Sequence, residues 1–410
     1  MVIYLDHNAT TPLDNSIGRI INTYSRFLYG NPSSPYQIGK ISRAEVEKSR
    51  EKVAKIINCR KNEVYFTSGG TASNNLAIQG LLSYFQKFGK TNTKKRIITT
   101  EIEHLSVLNI FKELSKGKNK DYDVVFLPVD KSGFVKLKEF KYSIDSNTVL
   151  ISVMLANNEV GSIQPIKEMV KIAKSKNKNI VFHCDAVQGL GKVRIDVKDL
   201  GIDMLSISSH KIYGPKGVGA LYIKKGTGIY PLFFGGHQEK GIRPGTENLV
   251  SIIAFGYACK LARENLERNI AVMTALKEFL KERLIRELSD IINIRINSPE
   301  KNCLPNTLNV CFKGFDSEIL ISLLSKQSVY VSSGSACTSD SLEPSHVLLA
   351  MGIPESLAHN AIRFSLGMEN KKRDLIRTVK KIKKIILENN LNFNKTYNYS
   401  NKDINGTKNK

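Results

Sequence analysis

The sequence has little of several features that would place it in a special structural class. It contains no tryptophan, only 12 prolines in 410 residues and no long glycine and serine tract, which argues against a fibrous or low-complexity chain. No run approaches the ~18 consecutive apolar residues of a membrane span. The apolar fraction of 41% is that of an ordinary globular protein, and the length predicts two domains with ample burial.

The six cysteines lack the spacing of a metal cage or a disulfide framework, since no two of them form a C-x-x-C pair. Five stand in apolar surroundings, where we expect buried thiols, and Cys337 differs. The first residues lack a basic flank followed by an apolar core. We therefore expect no signal peptide and a cytoplasmic location.

Acidic residues are scarce relative to basic ones, 38 against 61, which gives a net charge of +23. The last forty residues carry 12 Lys and Arg against 3 Asp and Glu, or +9 of that total. This charge favours an acidic protein partner or tRNA. No aromatic and basic nucleic-acid module accompanies it, so direct nucleic-acid binding is not expected as the main function.

Apolar runs typical of strands alternate with helical patterns, which predicts an α/β fold with a mainly parallel sheet. A helical connector begins near Leu249, and a smaller α/β segment follows it. We predict an N-terminal segment, 1–14, that packs with the small domain, a large domain over 15–259, a small domain over 260–390 and a disordered basic tail over 391–410. The predicted strands are 63–67, 96–100, 124–128, 149–155, 180–184, 204–208 and 219–223, then 292–296, 307–311 and 362–365.

Lys211 stands in the most informative stretch of the chain. A strand-like apolar segment, 202–207, precedes it, and a turn rich in glycine and proline leads from it into the predicted strand 219–223. Desolvation between two buried strands would lower the pKa of the amine toward the neutral, nucleophilic form that a Schiff base requires. Most other lysines are expected to be solvated surface charges.

Polar residues follow three other predicted strands. The turn 68–71 joins a strand to a helix and exposes backbone N–H groups, with Thr71 and Ser73 as added donors, so it suits either a phosphate or a plain turn. Asp185 ends a buried strand, where it requires a cation unless it caps a helix. His104 ends another strand, and a lone histidine is more often structural than catalytic.

Two further residues are candidates for catalysis or substrate binding. Cys337 lies in a loop of small and polar residues, 332–339, that cannot bury a core, so we expect an accessible and mobile thiol. Arg363 lies within a strand pattern. A buried arginine requires a carboxylate, and a bidentate pair with a substrate carboxylate is the natural one.

In their order along the chain, these motifs resemble those of class V aminotransferase-like enzymes that use pyridoxal phosphate (PLP), and more narrowly the cysteine desulfurases of the NifS and IscS group. The resemblance runs from Tyr4 to about Gly367. It implies the PLP-dependent transferase fold (fold type I) and a homodimeric enzyme that converts L-cysteine to L-alanine. Sulfur would pass through a persulfide on Cys337, the catalytic cysteine, to an acceptor protein.

The resemblance also assigns roles around PLP. Lys211 would bind the cofactor as a Schiff base and act as base, while His104 would stack on the ring and assist proton transfers. Asp185 would keep the ring nitrogen charged, and Gln188 would hydrogen-bond the phenolic oxygen. Asn158 would lie beside the cofactor.

Substrate and phosphate contacts follow from the same resemblance. Arg363 and Asn158 would hold the carboxylate of L-cysteine. The family usually has Glu at the position of Ala72, so the role of that carboxylate is missing or replaced here. No resident metal is expected, and an iron–sulfur cluster would contact Cys337 only during sulfur transfer. The phosphate would be held by Thr71, Ser73, Ser208, His210 and, from the other subunit, Thr246.

Alternatives remain open at this point. Another class V enzyme, such as an aminotransferase or a selenocysteine lyase, would share the cofactor residues. A sulfur carrier without catalytic activity would use Cys337 alone. The sequence also leaves the sulfur acceptor open among an iron–sulfur scaffold, a tRNA-thiolation protein and a nitrogenase-type pathway.

Overall fold

The structure, a computed structural model, describes residues 2–89, 94–116, 122–333 and 343–405, with side chains up to residue 389. The strands are β1 (Ile3–Tyr4), β2 (Val64–Thr67), β3 (Lys95–Thr100), β4 (Tyr122–Leu127), β5 (Thr148–Met154), β6 (Val181–Asp185), β7 (Met204–Ser208), β8 (Gly219–Ile223), β9 (Ile294–Ile296), β10 (Thr307–Phe312), β11 (Val329–Tyr330) and β12 (Ala361–Ser365). The helices are α1 (Asn15–Phe27), α2 (Gln37–Ile56), α3 (Gly70–Phe88), α4 (Leu105–Lys116), α5 (Leu137–Ser143), α6 (Ile166–Lys176), α7 (Val197–Leu200), α8 (Leu249–Glu264), α9 (Leu266–Leu288), α10 (Ser317–Lys326), α11 (His346–Ala350), α12 (Glu355–Ala358) and α13 (Lys372–Asn405).

Seven strands form the large sheet, in the order β2-β8-β7-β6-β5-β3-β4. All neighbours are parallel except β8, which runs antiparallel to both β2 and β7. The connection from β7 to β8 is too short for the helical crossover that a parallel pair requires, so the chain reverses there. The α/β fold with a mainly parallel sheet is confirmed, and every strand predicted for this sheet is present.

The small sheet has the order β12-β10-β9 and is antiparallel. The N-terminal segment joins it: β1 pairs with β11, and Asp6 forms a bridge to Ser365. Ile3 and Leu5 are buried in the same apolar core as Phe364. The first residues therefore pack against the small sheet. The division of the chain into domains at residues 14, 259 and 390 stays a prediction.

Helices cover both faces of the large sheet because its strands are apolar on both sides. One core contains Leu76 and Leu81 of α3 with Phe111 of α4, and the other contains Ile253 and Phe255 of α8. In the described part of the chain, no helix has the length and apolarity that crossing a membrane requires.

The last helix continues past residue 390. Its apolar face buries Leu375, Val379 and Ile382 as expected, and its backbone is helical to Asn405, while the disordered basic tail over 391–410 stays a prediction. The sequence from 372 to 405 contains neither proline nor glycine. No residue there stops a helix before Gly406, although the apolar periodicity ends earlier.

A buried ion pair fixes the segment that precedes α8. Nη1 and Nη2 of Arg50 each donate to one carboxylate oxygen of Glu239 at 2.7 Å, and the backbone N–H of Phe66 donates to the same carboxylate at 2.8 Å. Both side chains are less than a tenth exposed. Nε of Arg50 also donates to the part-exposed Glu47 at 3.1 Å, so Glu239 is the buried counterion of this arginine. Removing a buried counterion costs far more than breaking a surface pair.

We expect Glu239→Gln to lower the free energy of unfolding by about 3 kcal/mol, because Arg50 then keeps a buried charge with only the part-exposed Glu47 as a carboxylate partner. Urea unfolding measures this change. The matched control is Glu51→Gln, whose partner Lys55 is half exposed, and its loss should stay below about 1 kcal/mol. Similar losses in the two variants would contradict a stabilising role for the buried pair.

Candidate active site

Most of the predicted site residues follow strands of the large sheet that end at one edge. The turn after β2, His104 after β3, Asn158 after β5, Asp185 at the end of β6 and the lysine segment after β7 all lie at the carboxyl ends of strands that run in the same direction. This edge is where open α/β sheets bind their ligands. The sheet topology therefore brings these segments to one edge of the large sheet.

A cavity of about 950 Å³ lies against the turn between β2 and α3. Gly69 has φ +147°, which other residues avoid, and a Cβ on Gly70 would come within 2.7 Å of Cγ2 of Val187. The turn therefore requires glycine, and it leaves the first N–H groups of α3 without intrahelical partners. Polar residues that line the cavity include Thr71, Ser208, His210 and Lys216.

Ser208 lines this cavity with a hydroxyl group that lacks a hydrogen-bond partner in the described part of the chain. Its hydroxyl oxygen is buried and has no hydrogen-bond partner among the described residues. An unpaired buried hydroxyl costs about 1–3 kcal/mol, so an acceptor in the cavity would stabilise it. Together with the helix amides and Lys216, which the sequence analysis did not identify, the hydroxyl makes the cavity suitable for a phosphate.

Ser73 has a different place from Thr71. It is fully buried, its hydroxyl lies 2.7 Å from Oγ1 of Thr67, and it donates to the carbonyl oxygen of Gly69 at 3.0 Å. It supports the turn and is not among the residues that line the cavity. Ala72 does line the cavity, and its methyl group offers no hydrogen bond there.

His210 contributes as a neutral ring. Burial, followed by the charges of Lys211, Lys216 and Lys192, lowers the pKa of His210 to about 4. Its Nδ1 lies 3.1 Å from the hydroxyl of Thr10. At neutral pH the ring is uncharged and can donate one hydrogen bond.

Asp185 and His104 belong to one hydrogen-bonded chain. Nδ2 of Asn74 donates to Oδ2 of Asp185 at 2.7 Å and to Oγ of Ser106 at 2.9 Å. The backbone N–H of Ser106 donates to Nδ1 of His104 at 3.1 Å, so a neutral His104 carries its proton on Nε2. Asn74 and Ser106 were not predicted from the sequence, although Asn74 is a polar residue on the buried face of α3.

The environment of His104 favours its neutral form. Burial lowers the pKa of His104, and the charges of Lys211 and His346 act in the same direction, while Asp185 opposes them. The neutral ring therefore presents Nε2–H as a hydrogen-bond donor at neutral pH. The structure thus joins the predicted His104 and Asp185 electrostatically as well as through Asn74.

The ammonium group of Lys211 contacts the N-terminal segment. It donates to the backbone carbonyl oxygen of Asn8 and to that of Ala9, the latter at 2.8 Å. Lys211 lines a second cavity, of about 520 Å³, whereas its neighbours Ser208 and His210 line the first. Its charge acts on His104, so the amine lies close to the predicted site.

Arg363 is buried and already has a carboxylate partner. Nη2 donates to Oδ1 of Asp6 at 2.7 Å, and Nη1 donates to the carbonyl oxygen of Asn158 at 3.1 Å. A carboxylate partner was predicted for this arginine from the sequence, but Asp6 was not identified. A guanidinium has five N–H donors in a planar fork that suits carboxylates.

The remaining predicted residues differ in position. Gln188 is buried, and its Nε2 donates to the carbonyl oxygen of Asn8 at 2.9 Å. Thr246 is exposed and is not among the residues that line the first cavity of its own chain. Cys337 lies outside the described residues.

The described residues on either side of the segment that contains Cys337 contact the site. Ser332 pairs with Arg363 through two backbone hydrogen bonds. Beyond the segment, Oγ of Ser345 donates to Glu159 at 2.5 Å, and Nε2 of His346 lies 3.0 Å from the carbonyl oxygen of Glu103. The residues that flank this segment therefore lie next to Arg363, the predicted substrate ligand, and next to Glu103, which precedes His104.

Residues 3–377 match the family described as aminotransferase class-V. The chain belongs to the class-V aminotransferase family. A cysteine desulfurase IscS of Dictyoglomus turgidum is 44% identical over 384 residues, 94% of each chain. A solved NifS-like protein superposes with a TM-score of 0.86 at 39% identity, covering 94% of this chain and 99% of that one. SspA, solved in complex with cysteine, is 32% identical with a TM-score of 0.74, covering 89% and 99%.

Within the class-V family the chain is thus IscS/NifS-like, a group that uses PLP. The residues present fit this cofactor. The glycine turn and the unpaired hydroxyl of Ser208 suit its phosphate, and the buried carboxylate of Asp185 suits a protonated ring nitrogen. In the described residues, no group of three or more His, Cys, Asp or Glu side chains gathers as metal ligands do.

Glu103, next to His104, is a further buried acid. It is fully buried, and its Oε1 accepts hydrogen bonds from Oγ1 of Thr100 at 2.7 Å and from the backbone N–H of Met154 at 2.9 Å. Burial raises the pKa of Glu103 from 4.5 to about 8, and the charge of Asp185 acts in the same direction. The folded protein therefore keeps a proton here that the unfolded chain has already released.

Because this pKa is raised on folding, Glu103 makes the protein less stable as pH rises from about 4.5 to about 8. We expect Glu103→Gln to remove this dependence. The stability of the variant relative to the wild type should rise by about 1 kcal/mol per pH unit between pH 5 and 8 and then stay constant. Urea unfolding at a series of pH values measures it, and parallel curves for the two proteins would refute the assignment.

Proposed function

We propose that the protein is a homodimeric, PLP-dependent cysteine desulfurase, which converts L-cysteine to L-alanine and transfers the sulfur through a persulfide on Cys337. The observation that carries this proposal is the edge of the large sheet. There Asp185, His104 and Lys211 come together beside a glycine-lined cavity with the unpaired hydroxyl of Ser208. The similarity to cysteine desulfurases over 94% of the chain supports the same function.

The cofactor residues divide by the part of PLP that each would hold. Thr71, Ser208, His210 and the first amides of α3 would hold the phosphate, with Ser73 bracing the turn. Asp185 would face the ring nitrogen and Gln188 the phenolic oxygen, beside Asn158, while the Lys211 amine would form the covalent bond. When bound, PLP supplies an electron sink for a carbanion at the substrate α-carbon.

Proton transfer belongs to His104 and Lys211. The Ser106 N–H fixes the tautomer of the neutral His104 ring, so its Nε2–H is the group that would donate to the reacting atoms and assist proton transfer. The amine of Lys211, once released by the substrate amine, would act as the base at the α-carbon. Asn74 links Asp185 and Ser106, so the charge that faces the ring and the histidine keep one relative position.

The substrate carboxylate would bind Arg363 beside Asn158. Asp6 accepts a hydrogen bond from Nη2 and thereby restricts the orientation of the planar guanidinium. The substrate would be L-cysteine, the molecule with which the related SspA was solved.

Cys337 would act as a thiolate, because only the thiolate is a competent nucleophile. Its sulfur attacks the sulfur of the substrate, so that an S–S bond forms as the substrate C–S bond breaks, and the remaining three-carbon product is protonated and leaves as alanine. An acceptor protein, either an iron–sulfur scaffold or a tRNA-thiolation protein, would then take the outer sulfur in the cytoplasm. The net charge of +23 favours an acidic acceptor.

The segment before α8 supports the proposed homodimer. Thr246 is exposed, and Phe233 and Phe234 nearby are 67% and 79% exposed. Exposed aromatic residues beside a cavity are typical of a protein interface. A partner subunit would cover them, and the partner's Thr246 would complete the phosphate site.

We expect Cys337→Ser to abolish alanine and sulfide production from L-cysteine, because a serine hydroxyl cannot accept sulfur as a persulfide. The bound cofactor and its visible absorption should remain. The matched control is Cys59→Ser, which should keep full activity, since burial raises the pKa of Cys59 to about 12 and keeps it a thiol. Unchanged turnover in Cys337→Ser would exclude the proposed reaction.

Lys211→Ala should lose the covalent link to PLP. Borohydride reduction, followed by mass measurement of the intact chain, should show a pyridoxyl adduct in the wild type and none in the variant. Turnover should fall by at least about a thousandfold, because the covalent site and the base are both removed. Lys216→Ala is the matched control and should keep the adduct with weaker phosphate binding. A colourless wild type that cannot be reconstituted with PLP would favour a sulfur carrier without catalytic activity.

A further inference from the structure

Lys192 is a buried lysine to which the proposed mechanism gives no role. It is 5% exposed, and its Nζ donates to Oε1 of Gln188 at 2.9 Å and to Oδ1 of Asn8 at 3.0 Å. Burying an amine that would otherwise be charged and hydrated is costly, so its presence at the edge of the site requires a compensating function.

The hydrogen bonds to Gln188 specify which way its amide points. A lysine nitrogen donates to oxygen, so Oε1 must face Lys192, and the carbonyl oxygen of Asn8 only accepts, so Nε2 must face Asn8. A 180° flip of the amide would place Nε2 against the donors of Lys192 and Oε1 against a carbonyl oxygen. Both contacts would then be repulsive, and the amide has one stable orientation.

This orientation decides what Gln188 can offer to a cofactor. One N–H of Nε2 is used by Asn8, and the other is the donor that we assign to the phenolic oxygen of PLP. The same carbonyl oxygen of Asn8 also accepts a hydrogen bond from Lys211. Lys192 therefore contacts both Gln188 and Asn8, and Asn8 in turn accepts from Lys211.

The contacts do not depend on the charge of Lys192. Burial, followed by the charges of Lys211 and Arg363, lowers the pKa of Lys192 well below its ordinary value. An ammonium has three N–H donors and a neutral amine has two, so either form supplies the two hydrogen bonds that the structure shows. A buried lysine thus fixes the amide without adding an obligatory cation beside Arg363 and Lys211.

We propose that Lys192 is a positioning residue for PLP: it holds the amide of Gln188 with its oxygen turned away, so that Nε2 donates to the phenolic oxygen of the cofactor. This inference rests on the proposed function. It adds a residue that acts through Gln188 and does not itself contact substrate or cofactor.

The first test compares Lys192→Met with the wild-type holoenzyme. We expect the dissociation constant for PLP to rise about fivefold, the effect of one weakened hydrogen bond, with a shift in the visible absorption maximum of the bound cofactor. Lys192→Arg keeps the donors and should restore the wild-type spectrum. The matched control is Lys277→Met, another buried lysine, which donates to the carbonyl oxygen of Leu304 and should leave the spectrum and PLP affinity unchanged.

A double-mutant cycle then separates positioning from general damage. If Lys192 acts through the amide, Lys192→Met should change PLP affinity less than twofold in a Gln188→Leu background. Full additivity of the two substitutions would overturn the proposal, as would a Lys192→Met protein with the wild-type spectrum and affinity. Absence of PLP from the wild-type protein would instead overturn the proposed function.

Gln188→Glu keeps the test decisive if Lys192→Met fails to fold. The carboxylate keeps an oxygen for Lys192 but has no N–H for the cofactor. We expect weaker PLP binding and a shifted absorption maximum in a protein that still folds. A wild-type spectrum in Gln188→Glu would show that no donor is needed at this position, and the proposal would be wrong.

Discussion

The site depends on the buried Asn8, which joins the large sheet to the small one. Its backbone N–H donates to Oγ of Ser365 at 2.9 Å and its Nδ2 to Oγ1 of Thr307 at 2.8 Å, both in the small sheet. Its carbonyl oxygen accepts from Gln188 and Lys211 at the edge of the large sheet. Because a buried polar group without a partner is costly, these bonds fix the two sheets relative to each other, and residues from both can form one site.

The charged side chains around Asn8 are mainly basic, which makes this junction suitable for anionic ligands. Lys192, Lys211 and Arg363 lie close enough that the latter two lower the pKa of Lys192, and the partner carboxylate seen for Arg363 is Asp6. His210 shows the same positive surroundings, since three lysines lower its pKa. A phosphate and an α-carboxylate are both anions, so one positive region can bind the cofactor and the substrate.

The sequence predicted the parts of the site that local rules determine. Strand ends and the glycine turn follow from periodicity and backbone geometry, so the places of Asp185 and Lys211 were predictable. Pairs that depend on topology were missed: Asp6 and Arg363 are 357 positions apart, and Asn74 and Asp185 are 111 apart. In each case one member was identified and its partner was not, because no single-sequence pattern gives the register between distant elements.

Thr71 and Ser73 show how helix geometry can narrow a prediction of phosphate ligands. Both are hydroxyl residues in the first turn of a helix beside a glycine turn, and both were predicted as phosphate ligands on that ground. Residues two apart on a helix point in directions about 200° apart, so a cavity on one side of the helix can receive only one of them. The buried neighbours Asn74 and Ala77 indicate which side faces the core. Helical periodicity therefore constrains which polar residues can be ligands as strictly as it constrains which apolar residues form the core.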